Sequence, residues 1–390
     1  MIKLGIEDID SIKSLLQQSF EEKKYLCYLE TIENEELNYV FGIKINNNLC
    51  AVHMLWNASI RLRNIYFKSF YMNFASVEPK YRQNGISKNL FLDTINKAKL
   101  ECVDILVMDP FNHGFYTKYG YSSALENYAL EIPSSLFSRD EHVAIDEIYS
   151  FSLLNNQDGF KSFQSLKEYF WNEEITMNEL QVDTIFLSSR TCLEYRCAMI
   201  HNDVDKGYIL YHIKDSVLTV HEIRYNNKMT LYKLKQYLHN YIAQIKLYVF
   251  ENIPFRFPKE MFIKDYWDIN SRIKFTYEPF RMIRIVDLYS VITKIKVNSP
   301  QNEINLKIVD ESIEANTGIY TFQEDGAIYK NKYNKYDAEI GIKDFTKLLS
   351  GIETANDLWL NNKIITDNLH VLSLLDQIFP RIETFSADIY

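Results

Sequence analysis

The stretch that most constrains this chain is residues 67–98, because its hydrophobic period changes partway through. Aromatic and β-branched residues dominate 67–77, the composition of a buried strand. Pro79 fixes φ and donates no N–H, so a strand ladder stops there. Gly85 admits backbone geometry that other residues resist. Leu90, Phe91, Ile95 and Ala98 then fall at helical spacing on one face. A strand that delivers a glycine turn to a helix N-terminus makes a cradle of unpaired N–H groups, which suits a phosphate. A plain strand–turn–helix connection reads the same way, so this stretch speaks first to fold.

The rest of the chain supplies three regions. Residues 9–20 carry an amphipathic pattern, and 39–45 and 49–56 read as a hairpin turning through Asn46, Asn47 and Asn48. With the central strand–turn–helix and a further strand at 104–108, these make a first domain, 1–133, ended by Pro133, Ser134 and Ser135. In 134–278 the same order returns: a hairpin over 208–223, then a helix from about Met229 with Leu231, Leu234 and Leu238 on one stripe. The turn before that helix, 224–228, has no glycine, which predicts the fold without the cradle. A third region, 279–390, opens on Pro279-Phe280-Arg281-Met282-Ile283-Arg284-Ile285-Val286-Asp287 and alternates short strands with short helices. The expected class is mixed α+β and α/β.

Composition narrows the chemistry. The net charge of −9 over 390 residues argues against non-specific nucleic-acid binding and favours cationic ligands, although solubility alone accounts for the same number. Five scattered cysteines form no C-x-x-C pair, as in a reduced cytosolic protein. The start of the chain lacks a signal-peptide pattern, and no apolar run approaches the ~20 residues that span a bilayer. A cytoplasmic protein without membrane contact is expected. The histidines show no metal-ligand spacing, so no metal is expected.

Two segments carry a resemblance. Arg82-Gln83-Asn84-Gly85-Ile86-Ser87 and, further on, Tyr116-Thr117-Lys118-Tyr119-Gly120-Tyr121 are similar to the paired motifs of the GNAT acetyltransferases, R/Q-x-x-G-x-G/A and Y-x-x-x-G-F/Y. Ser87 departs from the small residue usual at the last place of the first motif. Over the whole chain, the opening of the third region and the ending Phe379-Pro380, Phe385, Asp388-Ile389-Tyr390 resemble the enhanced intracellular survival (Eis) type of acetyltransferase. The resemblance implies tandem GNAT folds, the second degenerate, followed by a sterol-carrier-like α+β domain. It also implies acetyl-CoA as cosubstrate, amine acceptors such as aminoglycosides, and a homo-hexamer.

Acyl transfer from a thioester to an amine needs the amine deprotonated, the carbonyl oxygen stabilised and the thiolate protonated. By motif position the resemblance assigns the cosubstrate to Ser76, Val77, Arg82, Gln83, Asn84, Gly85, Ile86 and Ser87. It assigns the general acid to Tyr116, with Tyr121 as the alternative, and the general base to the α-carboxylate of Tyr390. A phenol with pKa near ~10 can donate to a thiolate whose conjugate acid lies near ~8.5. Glu22, Asp388 and Trp56 are candidates for holding a polycationic amine, by charge and by an aromatic face. Two other readings share these features: a non-catalytic effector on the same scaffold, and a protein N-acyltransferase. The intact Gly85 and Tyr116 count against the first, and the separate third region against the second.

Overall fold

The computed structural model describes residues 1–20, 40–139, 147–153, 156–173, 178–182, 195–254, 256–264, 272–295, 297–331 and 335–385. One long sheet runs through the first two regions. Its strands are β1 (Ile2–Lys3), β2 (Val40–Ile45), β3 (Asn48–Leu62), β4 (Ile65–Val77), β5 (Ile105–Met108) and β6 (Ser122–Pro133). They are followed by β7 (Tyr149–Ser152), β8 (Asn178–Val182), β9 (Arg196–His201), β10 (Lys206–Lys214), β11 (Val217–Tyr225), β12 (Leu247–Ile253) and β13 (Lys274–Ile285). The spatial order is β1-β2-β3-β4-β5-β13-β6-β12-β11-β10-β9-β7, with β8 added beside β3. A second sheet holds β14 (Ile304–Val309), β15 (Gly318–Phe322), β16 (Ile328–Asn331), β17 (Ala338–Gly341) and β18 (Ile364–Ile365), in the order β16-β15-β14-β17-β18. A last short strand, β19 (Thr384–Phe385), returns to pair with β8.

Local signals place many of these elements. The β2–β3 hairpin turns where Asn46 and Asn47 take φ of 52° and 62°, the left-handed values its tight turn requires and asparagine tolerates. The internal echo is visible in the ladders: β3–β4 and β10–β11 are antiparallel, and β4–β5 and β11–β12 parallel. Each parallel partner is reached through a helix, Ile86–Leu100 in one case and Lys228–His239 in the other.

One expectation needs correcting. The segment 279–287, read as the opening of a third region, runs through residue 285 as part of β13, inserted between β5 and β6 of the large sheet. Its continuous run of buried residues, Arg281 to Val286, suits a strand covered on both faces. The C-terminal layer starts after it, at the helix Leu288–Lys294, whose first turn is capped by the Asp287 carboxylate on Ser290 N–H.

Packing ties that layer to the first sheet. One apolar cluster joins Ile12, Leu62, Tyr71 and Ile283 to Leu306, Phe345 and Leu375. The opposite face of the sheet packs Phe70, Leu106 and Met282 on Phe91 and Ile95 of the helix Ile86–Leu100. Two buried arginines cross the seam. Arg63, at the β3–β4 turn, donates to the carbonyls of Leu349 (2.6 Å), Leu348 (3.1 Å) and Pro380 (2.8 Å), satisfying the end of the helix Ile342–Ser350. Arg284 on β13 donates to both carboxylate oxygens of Asp310 at 2.7 Å, with both side chains fully buried.

Candidate active site

The site is built where two strands part. β4 and β5 pair in parallel only from Ser69↔Ile105 to Met72↔Met108, whereas β4 continues to Val77 along β3. Beyond Met72 a wedge opens between them. At the same level β4 bulges against β3, the register shifting between Val52↔Ser76 and Met54↔Asn73. Phe74 there takes φ of 49°, and its N–H is held by Asn73 Oδ1 at 2.8 Å. A bulge re-aims backbone groups away from the ladder. Main-chain N–H and C=O groups facing a wedge can bind an extended amide-containing arm as a further strand would.

The cradle follows directly. Pro79–Tyr81 form one tight turn, and Arg82 Nε donates to the Val77 carbonyl at 2.9 Å, pinning the turn to the strand. Gln83 at φ 66° and Gly85 at φ 77° bend the chain into the helix Ile86–Leu100. Gly85 is the N-cap of that helix and carries no side chain to satisfy the first N–H groups, which are left to a ligand.

Wedge and cradle share a cavity of about 820 Å³. Of the residues expected to bind a cosubstrate, Ser76, Val77, Arg82, Gln83, Gly85, Ile86 and Ser87 line it, and Asn84 is exposed outside the lining. Lys88 and Lys118 also line it, and among the described residues the lining includes no carboxylate. In a chain of net charge −9, a wall with Arg82, Lys88 and Lys118 marks a site for an anion. Lys118, Phe111, Phe115 and Tyr119 have no individual sequence signal; they reach the wall because the loop after β5 folds over Phe91.

The two candidate acids separate in space. Tyr116 lies on the short helix His113–Thr117, whose start is capped by Asn112 Oδ1 accepting from Phe115 N–H at 3.2 Å. It lines the cavity and is 3% exposed, packed edge-on against Phe91 (5.6 Å), Phe111 (5.4 Å) and Phe115 (5.0 Å). Burial drives its pKa well above the ordinary phenol value, so the hydroxyl keeps its proton. Tyr121 is fully buried away from the cavity wall, near Arg284, and its Oη has no hydrogen-bond partner among the described residues. Burial raises its pKa as well.

On the opposite face of the sheet Trp56 stacks on Tyr71 (5.7 Å) and meets Phe74 edge-on (6.2 Å), and Phe74 in turn meets Phe20 (5.2 Å). Glu22, Asp388 and Tyr390 lie outside the described residues. The chain leading to Asp388 and Tyr390 is fixed at Thr384, whose Oγ1 donates to the Glu126 carbonyl (2.9 Å) and accepts from Glu126 N–H (2.7 Å).

The second unit repeats the wedge but fills its cradle. β11 and β12 pair only from Val217 to Val220, and beyond them His221 Nδ1 meets Glu251 Oε2 at 2.7 Å. The helix Lys228–His239 is capped by its own Asn227, whose Oδ1 accepts from Thr230 N–H at 2.9 Å. A protein side chain already holds what a phosphate would take.

Residues 1–124 match the family model of the acetyltransferase (GNAT) domain, and residues 288–386 that of the sterol carrier protein domain. No curated protein matches the chain in sequence. Solved structures share the whole fold. A probable N-acyltransferase of unknown function from Enterococcus faecalis V583 superposes with TM-score 0.86 at 18% identity, covering 100% of this chain and 98% of that one. A GCN5-related N-acetyltransferase from Kribbella flavida gives 0.80 at 14% identity, over 100% and 97%. Eis1 from Mycobacterium abscessus gives 0.79 at 10% identity, over 98% and 97%.

The domain matches and the wedge-and-cradle site define an acyltransferase of the GNAT class. Its build, a GNAT domain, a second GNAT-like layer and a sterol carrier domain, is a fold it shares with the structure of Eis1 from Mycobacterium abscessus. Acetyl-CoA is the cosubstrate this fold implies, and the cationic wall and the glycine cradle suit its pyrophosphate. Among the described residues no group of three or more His, Cys, Asp or Glu is placed to hold a metal, and no helix is long and apolar enough to cross a membrane.

Proposed function

We propose that the protein is an acetyl-CoA-dependent N-acetyltransferase of polycationic amines: aminoglycosides, polyamines or lysine side chains. The observation that carries this reading is that the wedge, the Gly85 cradle and the buried Tyr116 phenol meet in one cavity whose charged lining is cationic. The first helical turn after Gly85 holds the pyrophosphate, with Arg82 adding charge. Main-chain groups at the Phe74–Val77 bulge receive the thioester carbonyl and stabilise the oxyanion. The amine nitrogen, once deprotonated, forms the new C–N bond as the C–S bond breaks, and Tyr116 Oη gives its proton to the departing thiolate.

The proton leaving the amine goes to the α-carboxylate of Tyr390 in this reading. Two observations support it. Thr384 is clamped on Glu126, which pairs with Pro279, and the neighbouring Leu125 pairs with Arg281 beside the wedge. The six residues that follow Thr384, up to Tyr390, reach at most ~22 Å. The carboxylate serves as a base where it is partly desolvated or acts through a water. The acceptors' charge suits a protein of net charge −9, and this reading includes a hexameric, cytoplasmic enzyme, as the sequence resemblance to the Eis type implies.

Thiol release from acetyl-CoA, measured against a panel of aminoglycosides, linear polyamines and lysine peptides, tests the activity. Removing Tyr390, or extending the chain with a tag, is expected to abolish turnover while CoA binding stays within about twofold. Unchanged turnover excludes the terminal base, and no turnover of any amine by the untagged protein excludes the enzyme reading in favour of the effector. Sedimentation of the untagged protein tests the hexamer.

A further inference from the structure

The apex of the wedge holds a carboxylate that neither sequence motif includes. Asp109 follows Met108, the last residue of β5 to pair with β4. Its Oδ1 accepts from Arg281 Nε at 2.9 Å and its Oδ2 from Tyr71 Oη at 2.7 Å. The arginine side chain is fully buried, while 24% of the Asp109 side chain is exposed. Arg281 also lies over the Tyr71 ring at 5.8 Å, and Trp56 stacks on that ring at 5.7 Å with an interplanar angle of 17°. The carboxylate is therefore fixed at both oxygens and still open to solvent. It stands beside a flat aromatic wall, and it belongs to the apolar face that carries Tyr71 and Phe74, opposite the face of Tyr116.

An ion pair meant only for stability gains little from standing partly open at the point where two strands separate. A buried arginine and a phenol that both point their protons at one carboxylate orient it, and each of its oxygens keeps a second lone pair for another donor. An ammonium group is the donor that suits an anion beside indole and phenol faces, since those faces also attract a cation.

We infer that Asp109 is a binding residue for the acceptor. It recognises a protonated nitrogen of the polyamine and seats it beside the Trp56–Tyr71 wall, next to the point where the thioester arrives. This rests on the acetyltransferase reading for its consequence in turnover, but the recognition itself is a binding property. Arg281 and Tyr71 act through the carboxylate and are positioning residues.

The test uses a linear triamine as the probe. In calorimetry with the full-length protein, Asp109→Asn is expected to weaken triamine binding about tenfold or more while acetyl-CoA binding stays within about twofold. In turnover the same variant is expected to raise the triamine KM by a similar factor with a smaller change in kcat, and to affect a monoamine less. Tyr71→Phe, which keeps the ring and removes one donor, is expected to give a weaker effect of the same kind. Triamine binding that is absent in the native protein, or equal in the native protein and Asp109→Asn, overturns the assignment. Loss of thermal stability with triamine and acetyl-CoA affinity falling together also overturns it, leaving a structural ion pair. If the native protein binds triamine through Asp109 but does not turn over acetyl-CoA, the assignment stands and the enzymatic reading falls.

Discussion

Replacing Gly85 by alanine isolates a single torsion angle. The residue holds φ at 77°, and a Cβ built there meets nothing within 4 Å. Steric exclusion by neighbours is thus absent, and the cost is that of an L-residue in the left-handed region, about 1–2 kcal/mol. In the free protein the exposed turn is able to relax out of that region and avoid the cost. Binding the pyrophosphate requires the cradle to re-form, so the cost moves into the binding equilibrium. Affinity for CoA is expected to fall roughly 5- to 30-fold, the factor equivalent to that energy. Gly85→Asn, which tolerates left-handed φ, is expected to recover most of the loss. The assay is calorimetric titration of CoA into native protein and both variants, with thermal unfolding recorded alongside. Equal affinities for all three proteins refute the argument that backbone geometry at Gly85 forms the phosphate site.

Tyr116→Phe keeps the edge-on contacts with Phe91, Phe111 and Phe115 and removes only the proton, so kcat is expected to fall roughly 10²-fold or more with folding unchanged. Tyr121→Phe, altering a buried hydroxyl off the cavity wall, is expected to change kcat less than about threefold; the reverse order of effects assigns the acid to Tyr121. Because burial raises the Tyr116 pKa, the protonated acid survives to higher pH than a free phenol, and its alkaline loss of rate belongs above about pH 10 in a kcat–pH profile. Arg284→Met leaves the buried Asp310 without the guanidinium that neutralises it, a change expected to cost about 3–5 kcal/mol in denaturant unfolding. A variant within about 1 kcal/mol of the native protein shows that the pair does not anchor the C-terminal layer.

Much of this molecule was legible from residues close together in sequence. The alternation and helical spacing around residues 67–98 located β4 and the helix Ile86–Leu100, asparagines marked the β2–β3 turn, and the missing glycine before the helix Lys228–His239 marked a cradle that Asn227 fills. These features depend on backbone torsions and on which face is apolar, and short stretches of sequence encode both. Tertiary structure alone decided which segments became neighbours. Burial of apolar surface has no direction, so the run 279–285 reads equally well as the start of a new domain or as a strand of the old one. The gap between β5 and β6 determined its place, and that placement brought Arg281 to Asp109 across 172 residues. The same three-dimensional accounting put Tyr116 on the cavity wall and Tyr121 behind it, although both belong to one six-residue motif.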